Sequence, residues 1–267
     1  MSPRVKDLLW IPINLLQLLW LAGFTALSFV PSVLPALVTA NREAAFTYGR
    51  AFWAQVNLRL GLSTLTVEGR EHLPPPGTPC VVMLNHQSMI DIIISWMVID
   101  TGPRFVGKRI LGFIPIIGWF CHLMGMVMID RSNRKHAIAS LKKANTVIKN
   151  GRMIVCFPEG TRTWDGRIMP FKKGVFIVAM ETGAPIVPIA MEGCATLVPR
   201  TGWKPRPSSV RAKIGAPIAT IGKDRDALIA EVRNAIIDLN LEIGGMGGDK
   251  ATPYAPHKDD AHDEHHA

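Results

Sequence analysis

Four cysteines in 267 residues, Cys80, Cys121, Cys156 and Cys194, lie far apart, and three of them sit in apolar stretches. No Cys-x-x-Cys or other metal-ligand spacing occurs, which excludes a zinc ribbon or a dithiol redox centre. Buried free thiols in a reducing compartment, outside the chemistry, are the expectation. The chain also lacks a helix-turn-helix, a zinc finger and any aromatic–basic RNA-binding pattern. With 48% hydrophobic residues, that sets nucleic acid aside as a partner. Lys+Arg of 30 against Asp+Glu of 21 still leaves +9, a surplus suited to phosphorylated metabolites or a membrane surface. No Gly-x-Ser-x-Gly elbow is present, and no internal repeat appears at the usual periods.

Charge is absent altogether from residues 8–41. Residues 8–30 are rich in Leu, Ile, Phe and Trp and long enough to cross a bilayer. As a signal peptide the apolar region is too long, and no small-residue cleavage site closes it. Pro31 and Pro35 are expected to interrupt the helix. Residues 44–60 are amphipathic, with Phe46, Phe52 and Trp53 beside Arg50 and Arg59. Arg4 and Lys6 precede the apolar run, and Arg42 and Arg50 follow it, so the positive-inside rule selects no orientation. A single span and a re-entrant hairpin in one leaflet both fit, and the basic flanks favour the hairpin. Residues 1–61 are therefore expected to anchor the chain to a membrane.

Beyond the anchor, apolar runs and helical patterns alternate. Strands are expected at 63–68, 80–84, 104–107, 125–130, 153–157, 185–191 and 210–214. Helices are expected after Asp91 and over 135–149, 175–182 and 226–243, the second burying Ile138, Leu141 and Ile148 on one face. This alternation implies an α/β domain over 62–243, with a mixed, largely parallel sheet flanked by helices. Residues 244–267 are rich in Gly, Asp and His, including His257, His262, His265 and His266, and are expected to be a disordered tail.

Two polar turns follow buried runs, where α/β sheets build their sites. The first is Asn85-His86-Gln87-Ser88-Met89-Ile90-Asp91. Asp91 is placed to accept the His86 Nδ1–H and leave Nε2 free to take a proton, although an ordinary helix cap uses the same residue types. The second is Phe157-Pro158-Glu159-Gly160-Thr161-Arg162-Thr163. Its Pro and Gly hold a tight turn, Arg162 offers a planar fork to a phosphate, and Glu159 is placed to accept from a substrate hydroxyl or to position Arg162. A plain surface turn with a Glu–Arg pair reads the same way. Between them, residues 107–119 set Lys108 and Arg109 among Ile110, Phe113, Ile114, Ile117 and Trp119. That mixture suits a surface touching lipid chains and phosphate heads, and also ordinary core packing.

Taken together, these blocks resemble those of the glycerophospholipid acyltransferases. Asn85-His86 with Asp91 is similar to the family's NHxxxxD motif. Residues 107–118, 157–162 and 187–190 follow in the order of its other three blocks, over roughly residues 62–220. Ile110 departs from the acidic residue many relatives carry there. The resemblance implies transfer of a fatty acyl group from acyl-CoA or acyl carrier protein to the 2-hydroxyl of 1-acyl-sn-glycerol-3-phosphate. His86 would be the general base and Asp91 its orienter, with no covalent intermediate. Lys108, Arg109 and Arg162 would bind the acceptor phosphate, and Glu159, Gly160 and Thr161 would shape that site. No metal and no cofactor beyond the thioester co-substrate is implied. The partners would be lysophosphatidic acid and inner-leaflet lipids, at the cytoplasmic face of the cell membrane. Another lysolipid acceptor, a thioesterase and a non-catalytic membrane module are the competing readings.

Overall fold

With no charge to interrupt it, the N-terminal segment folds as one long helix, α1 (Pro3–Thr39). The computed structural model describes residues 3–39, 42–99, 102–129, 134–200 and 204–250. Pro31 and Pro35 do not break α1, contrary to the expectation from sequence. Each proline removes one backbone donor, and the apolar run on either side keeps the rest of the ladder intact. The chain then returns along α1 through α2 (Arg42–Tyr48), a π-helical stretch (Gly49–Ala54) and α3 (Gln55–Leu60). The Phe24 and Phe52 rings lie 5.6 Å apart, and Trp53 Nε1 donates to Thr25 Oγ1 at 3.1 Å. These contacts define a helical hairpin. The π-helical turn brings Gly49 against Trp96, where a Cβ would stand 2.8 Å from the indole ring.

A short strand, β1 (Thr64–Glu68), and a 3₁₀ turn (Arg70–His72) lead to the buried β2 (Val81–Leu84). Helix α4 (Asp91–Val98) and β3 (Arg104–Lys108) follow, then a 3₁₀ turn (Arg109–Phe113) and α5 (Ile117–Leu123). Next come β4 (Val127–Ile129), α6 (Arg134–Lys149), β5 (Ile154–Cys156) and α7 (Gly174–Thr182). The chain continues through β6 (Ile186–Glu192), α8 (Cys194–Leu197), β7 (Ser209–Ile214) and α9 (Arg225–Glu242). Asp224 starts α9 by accepting the Asp226 and Ala227 amides, each at 2.9 Å.

The seven strands form one sheet in the order β1-β7-β6-β2-β5-β3-β4. β6, β2, β5, β3 and β4 run parallel, while β7 pairs antiparallel with β6 and carries β1 beside it. The mixed, largely parallel sheet is therefore the one expected. Alternation along β2 divides the core. Val82 and Leu84 face Ile94, Met97 and the hairpin's Phe46 and Leu58, whereas Val81 and Met83 face Phe176, Ile148, Val232 and Ile236. Covered on both faces, the central strands read as continuous apolar runs. Of the expected α6 face, Ile148 is buried and Leu141 packs beside it, while the Ile138 side chain lies outside the described residues.

Residues 244–250 extend the order past the expected boundary: Gly247 N donates to Asn240 Oδ1 at 2.9 Å, and Lys250 pairs with Asp238. The remaining tail, 251–267 with its four histidines, lies outside the described residues. Phe176 is wholly buried beside Phe171, their rings 6.3 Å apart. Phe176→Ala should cost about 3–5 kcal/mol through lost transfer energy and the cavity left behind. The check is the midpoint of denaturant unfolding in micelles.

Candidate active site

Parallel pairing brings the segments that follow β2, β3 and β5 to one edge of the sheet, and β6 delivers α8 to the same edge. The turn after the central β2 carries the first motif. Asn85 locks its start: Asn85 Nδ2 donates to the Met191 carbonyl at 2.9 Å, and Met191 N donates to Asn85 Oδ1 at 2.7 Å. Gln87 Nε2 donates to Glu192 Oε2 at 2.8 Å, and Ser88 Oγ to the Val198 carbonyl at 2.5 Å. Ser88 is fully buried and is occupied in holding the turn.

Asp91 opens α4 with its carboxylate turned back into this loop. Oδ2 accepts from Gln87 N at 2.7 Å and Ser88 N at 2.8 Å, and contacts His86 Nδ1 at 2.6 Å. An oxygen already accepting two amides requires a donor from the ring, so Nδ1 carries a proton, and in the neutral imidazole the lone pair then lies on Nε2. The imidazole stacks on Phe157, with ring centroids 4.2 Å apart and 19° between planes. Its side chain is 17% exposed and that of Asp91 is 1%. A histidine clamped on three sides with Nε2 left free is arranged to accept a proton from something outside the chain.

The second motif supports this turn from the β5 side. Glu159 Oε1 accepts from His86 N at 2.6 Å and Oε2 accepts from Met169 N at 2.9 Å, while Thr163 N donates to the His86 carbonyl at 2.8 Å. The sequence alone turns Glu159 toward a substrate hydroxyl or Arg162. It is buried instead, with both oxygens used on backbone amides. Gly160 turns the chain at φ +74°, a conformation side chains rarely adopt. Thr161 is exposed beside it, and the half-buried Arg162 comes next.

Lys108 closes β3, and Arg109 opens the 3₁₀ turn with its guanidinium 5.8 Å from the Phe113 ring centroid. Both are exposed. The block that carries them is tightly wound. Ile117 N donates to the Pro115 carbonyl at 2.7 Å around Ile116 at φ 67° and ψ −58°, a γ-turn of the strained, positive-φ kind. Gly118 fits there because a Cβ would stand 2.2 Å from the Gly112 carbonyl oxygen.

A family model described as acyltransferase matches residues 64–192. A yeast 1-acyl-sn-glycerol-3-phosphate acyltransferase from Saccharomyces cerevisiae is 35% identical over 238 residues, covering 86% of this chain and 77% of its own length. The chain belongs to the glycerophospholipid acyltransferase family. A chloroplastic 1-acyl-sn-glycerol-3-phosphate acyltransferase of Brassica napus is 38% identical over 192 residues, covering 71% of this chain. The chain spans about half the length of that plant relative, 54%. The crystal structure of the 1-acyl-sn-glycerophosphate acyltransferase PlsC from Thermotoga maritima superposes with a TM-score of 0.74 at 25% identity, covering 88% of this chain and 95% of that one.

Within this acyltransferase-family chain, several contacts at the site carry no signal in the sequence. The Phe157 stack depends on β5 lying next to β2. Cys194, expected to stand apart from the chemistry, opens α8 fully buried against Asp91. Burial first, and then the Asp91 carboxylate, raises its thiol well above the ordinary range, so it stays protonated. Arg200, outside every motif, packs its guanidinium 3.8 Å from the Trp164 ring centroid.

Burial pushes the Glu159 carboxyl up to about 8, against the opposing pull of the Met169 and His86 amides. A raised folded-state value means that the folded chain holds the proton more tightly than the unfolded one. Its stability contribution is complete below the ordinary value of 4.5 and is lost as pH rises through about 8. Glu159→Gln cannot ionise, so its plot of Tm against pH should be flatter than that of the parent protein across this window. Parallel plots would contradict the assignment.

Proposed function

We propose that this protein transfers an acyl group from a thioester, on coenzyme A or acyl carrier protein, to the 2-hydroxyl of 1-acyl-sn-glycerol-3-phosphate, forming phosphatidic acid. The observation that carries the reading is the 2.6 Å contact of His86 Nδ1 with Asp91 Oδ2, which leaves Nε2 as the free basic atom at the edge of the sheet. Nε2 removes the hydroxyl proton as the oxygen attacks the thioester carbonyl. Asp91 holds the tautomer and stabilises the imidazolium that forms. The proton then passes to the departing thiolate, so the histidine ends the cycle neutral. Ser88 is buried with its hydroxyl donated to Val198, which agrees with direct transfer and no acyl-enzyme. Lys108, Arg109 and Arg162 are the cations proposed for the acceptor phosphate. Glu159 supports the reaction by fixing the His86 backbone, and Gly160 and Thr161 form the turn between Glu159 and Arg162.

The hairpin suits an acceptor that resides in lipid. Trp10–Pro31 has the length and apolarity of a membrane span, with a mean hydropathy of 1.7 and 11% of it buried. Yet α1 is tied to the α/β domain at two distant points. Asn14 Nδ2 donates to the Pro205 carbonyl at 3.1 Å, and Phe29 lies 6.3 Å from Trp119. Fifteen residues of helix separate those contacts, about 22 Å at 1.5 Å per residue. A helix held at both points lies along the domain, which supports the re-entrant reading over a single span. Its exposed Leu15, Leu16, Leu19 and Leu27 would enter one leaflet together with Phe113, Ile117 and Trp119. The inner leaflet at the cytoplasmic face is the proposed location, where a thioester donor arriving from the cytoplasm would meet the lipid acceptor.

The test is acyl transfer from a radiolabelled thioester to lysophosphatidic acid and to other lysolipids in mixed micelles. His86→Ala should reduce turnover by about 10²–10⁴-fold, the usual contribution of a general base, with micelle association and fold retained. Near-normal turnover in that variant would end the assignment. Release of free fatty acid without an acceptor would point to a thioesterase, and transfer to a different lysolipid alone would change the substrate.

A further inference from the structure

The sheet order β6-β2-β5 puts the segment after β5 and the segment after β6 on opposite sides of β2. One side chain from each nevertheless meets the other: the Arg200 guanidinium carbon lies 3.8 Å from the Trp164 ring centroid. The contact therefore bridges the edge where the β2 turn presents His86. Both partners are tied to that turn close by. Thr163, next to Trp164, donates its amide to the His86 carbonyl, and Val198, two residues before Arg200, accepts from Ser88 Oγ. Trp164 is 72% exposed, a large aromatic on a polar loop, where burial of its own surface cannot explain it.

Arg200 is the more telling partner. Its Nη1 is buried and makes no hydrogen bond. Leaving a donor of a charged group dry and unpaired is costly, and native structures keep such groups mostly where a ligand or water completes them. The indole contact engages the guanidinium as a cation–π partner and offers its N–H donors no oxygen. A guanidinium N–H held in place without an acceptor suits a phosphate or carboxylate oxygen. Substrates of the proposed reaction carry phosphate on both sides: a phosphomonoester on the lysolipid, and phosphates on the carrier of the acyl thioester.

We infer that Arg200, stacked on Trp164, is a further substrate-binding residue that takes a phosphate oxygen of one of the two substrates. This rests on the acyl-transfer reading above. It adds a cation from the β6 side of the histidine turn to Arg162 on the β5 side.

The experiment uses the full chain in mixed micelles, with Arg200→Gln, Arg200→Lys and Trp164→Leu. Each is assayed with 1-acylglycerol 3-phosphate and 1-acylglycerol as acceptors, and with acyl-CoA and acyl-pantetheine as donors. Arg200→Gln should raise KM for one phosphate-bearing substrate by about 10–100-fold, the loss expected for a hydrogen bond to a charged group. It should leave its phosphate-free counterpart and kcat nearly unchanged. Arg200→Lys should recover part of the loss, and Trp164→Leu should shift KM in the same direction by less. The substrate whose KM moves identifies the source of the phosphate. Equal losses on phosphate-bearing and phosphate-free substrates, or no loss, would overturn the assignment. Should the unmodified protein transfer to neither acceptor, the acyl-transfer reading fails by itself. Isothermal titration of coenzyme A and lysophosphatidic acid then decides Arg200. At least tenfold weaker binding of either ligand by Arg200→Gln supports its role, and unchanged binding of both refutes it.

Discussion

The site depends on one carboxylate oxygen. Asp91 Oδ2 gathers the Gln87 and Ser88 amides and the His86 ring within 2.6–2.8 Å, so the turn that places the histidine and the group that sets its tautomer are the same interaction. A fully buried carboxylate is costly to desolvate, and removing part of its hydrogen-bonding shell would leave an uncompensated charge. The surrounding polar side chains hold the turn that supplies those donors. Asn85 ties the turn to β6, Ser88 ties it to the segment after α8, and Glu159 ties the His86 amide to the loop after β5. His86 is left as the one polar side chain of the block facing outward with an unused nitrogen.

Parallel pairing around β2 explains why distant blocks converge. Loops that leave parallel strands in the same direction share an edge, whatever their separation in the chain. Some of those loops hold costly geometry. Ile116 sits in a positive-φ γ-turn, and Gly112 and Gly118 are pressed together too closely for a side chain at position 118. Strain of this kind persists only where neighbouring packing over-determines it. It shapes the block on which Lys108 and Arg109 stand beside exposed Phe113, Ile117 and Trp119.

The hairpin follows the same economy. One face of α1 is spent on contacts, to the domain through Asn14 and Phe29 and to the returning helices through Thr25, while Leu15, Leu16, Leu19 and Leu27 are left uncovered. Exposed leucines along one side of a long helix, continuous with an aromatic and basic block, form a single surface suited to lipid.

Much of the domain was legible in the sequence because burial on both faces of a parallel sheet writes apolar runs, and helices write a 3.6-residue period. The pairing of His86 with Asp91 was legible too, since a turn of five residues leaves the two side chains within reach of each other. The sequence misled at Pro31 and Pro35, where local propensity yields to a long apolar helix, and at Glu159, whose charge reads as a surface group until its two amide partners are known. Residue order speaks for local structure: strand, turn and helix, and which residue types each turn offers. Long-range packing brings Phe157 onto His86, Cys194 against Asp91, and Arg200 to Trp164. Each of those contacts joins segments brought together only by strand order, and strand order is set by packing over the whole sheet, with no trace in the spacing of the residues themselves.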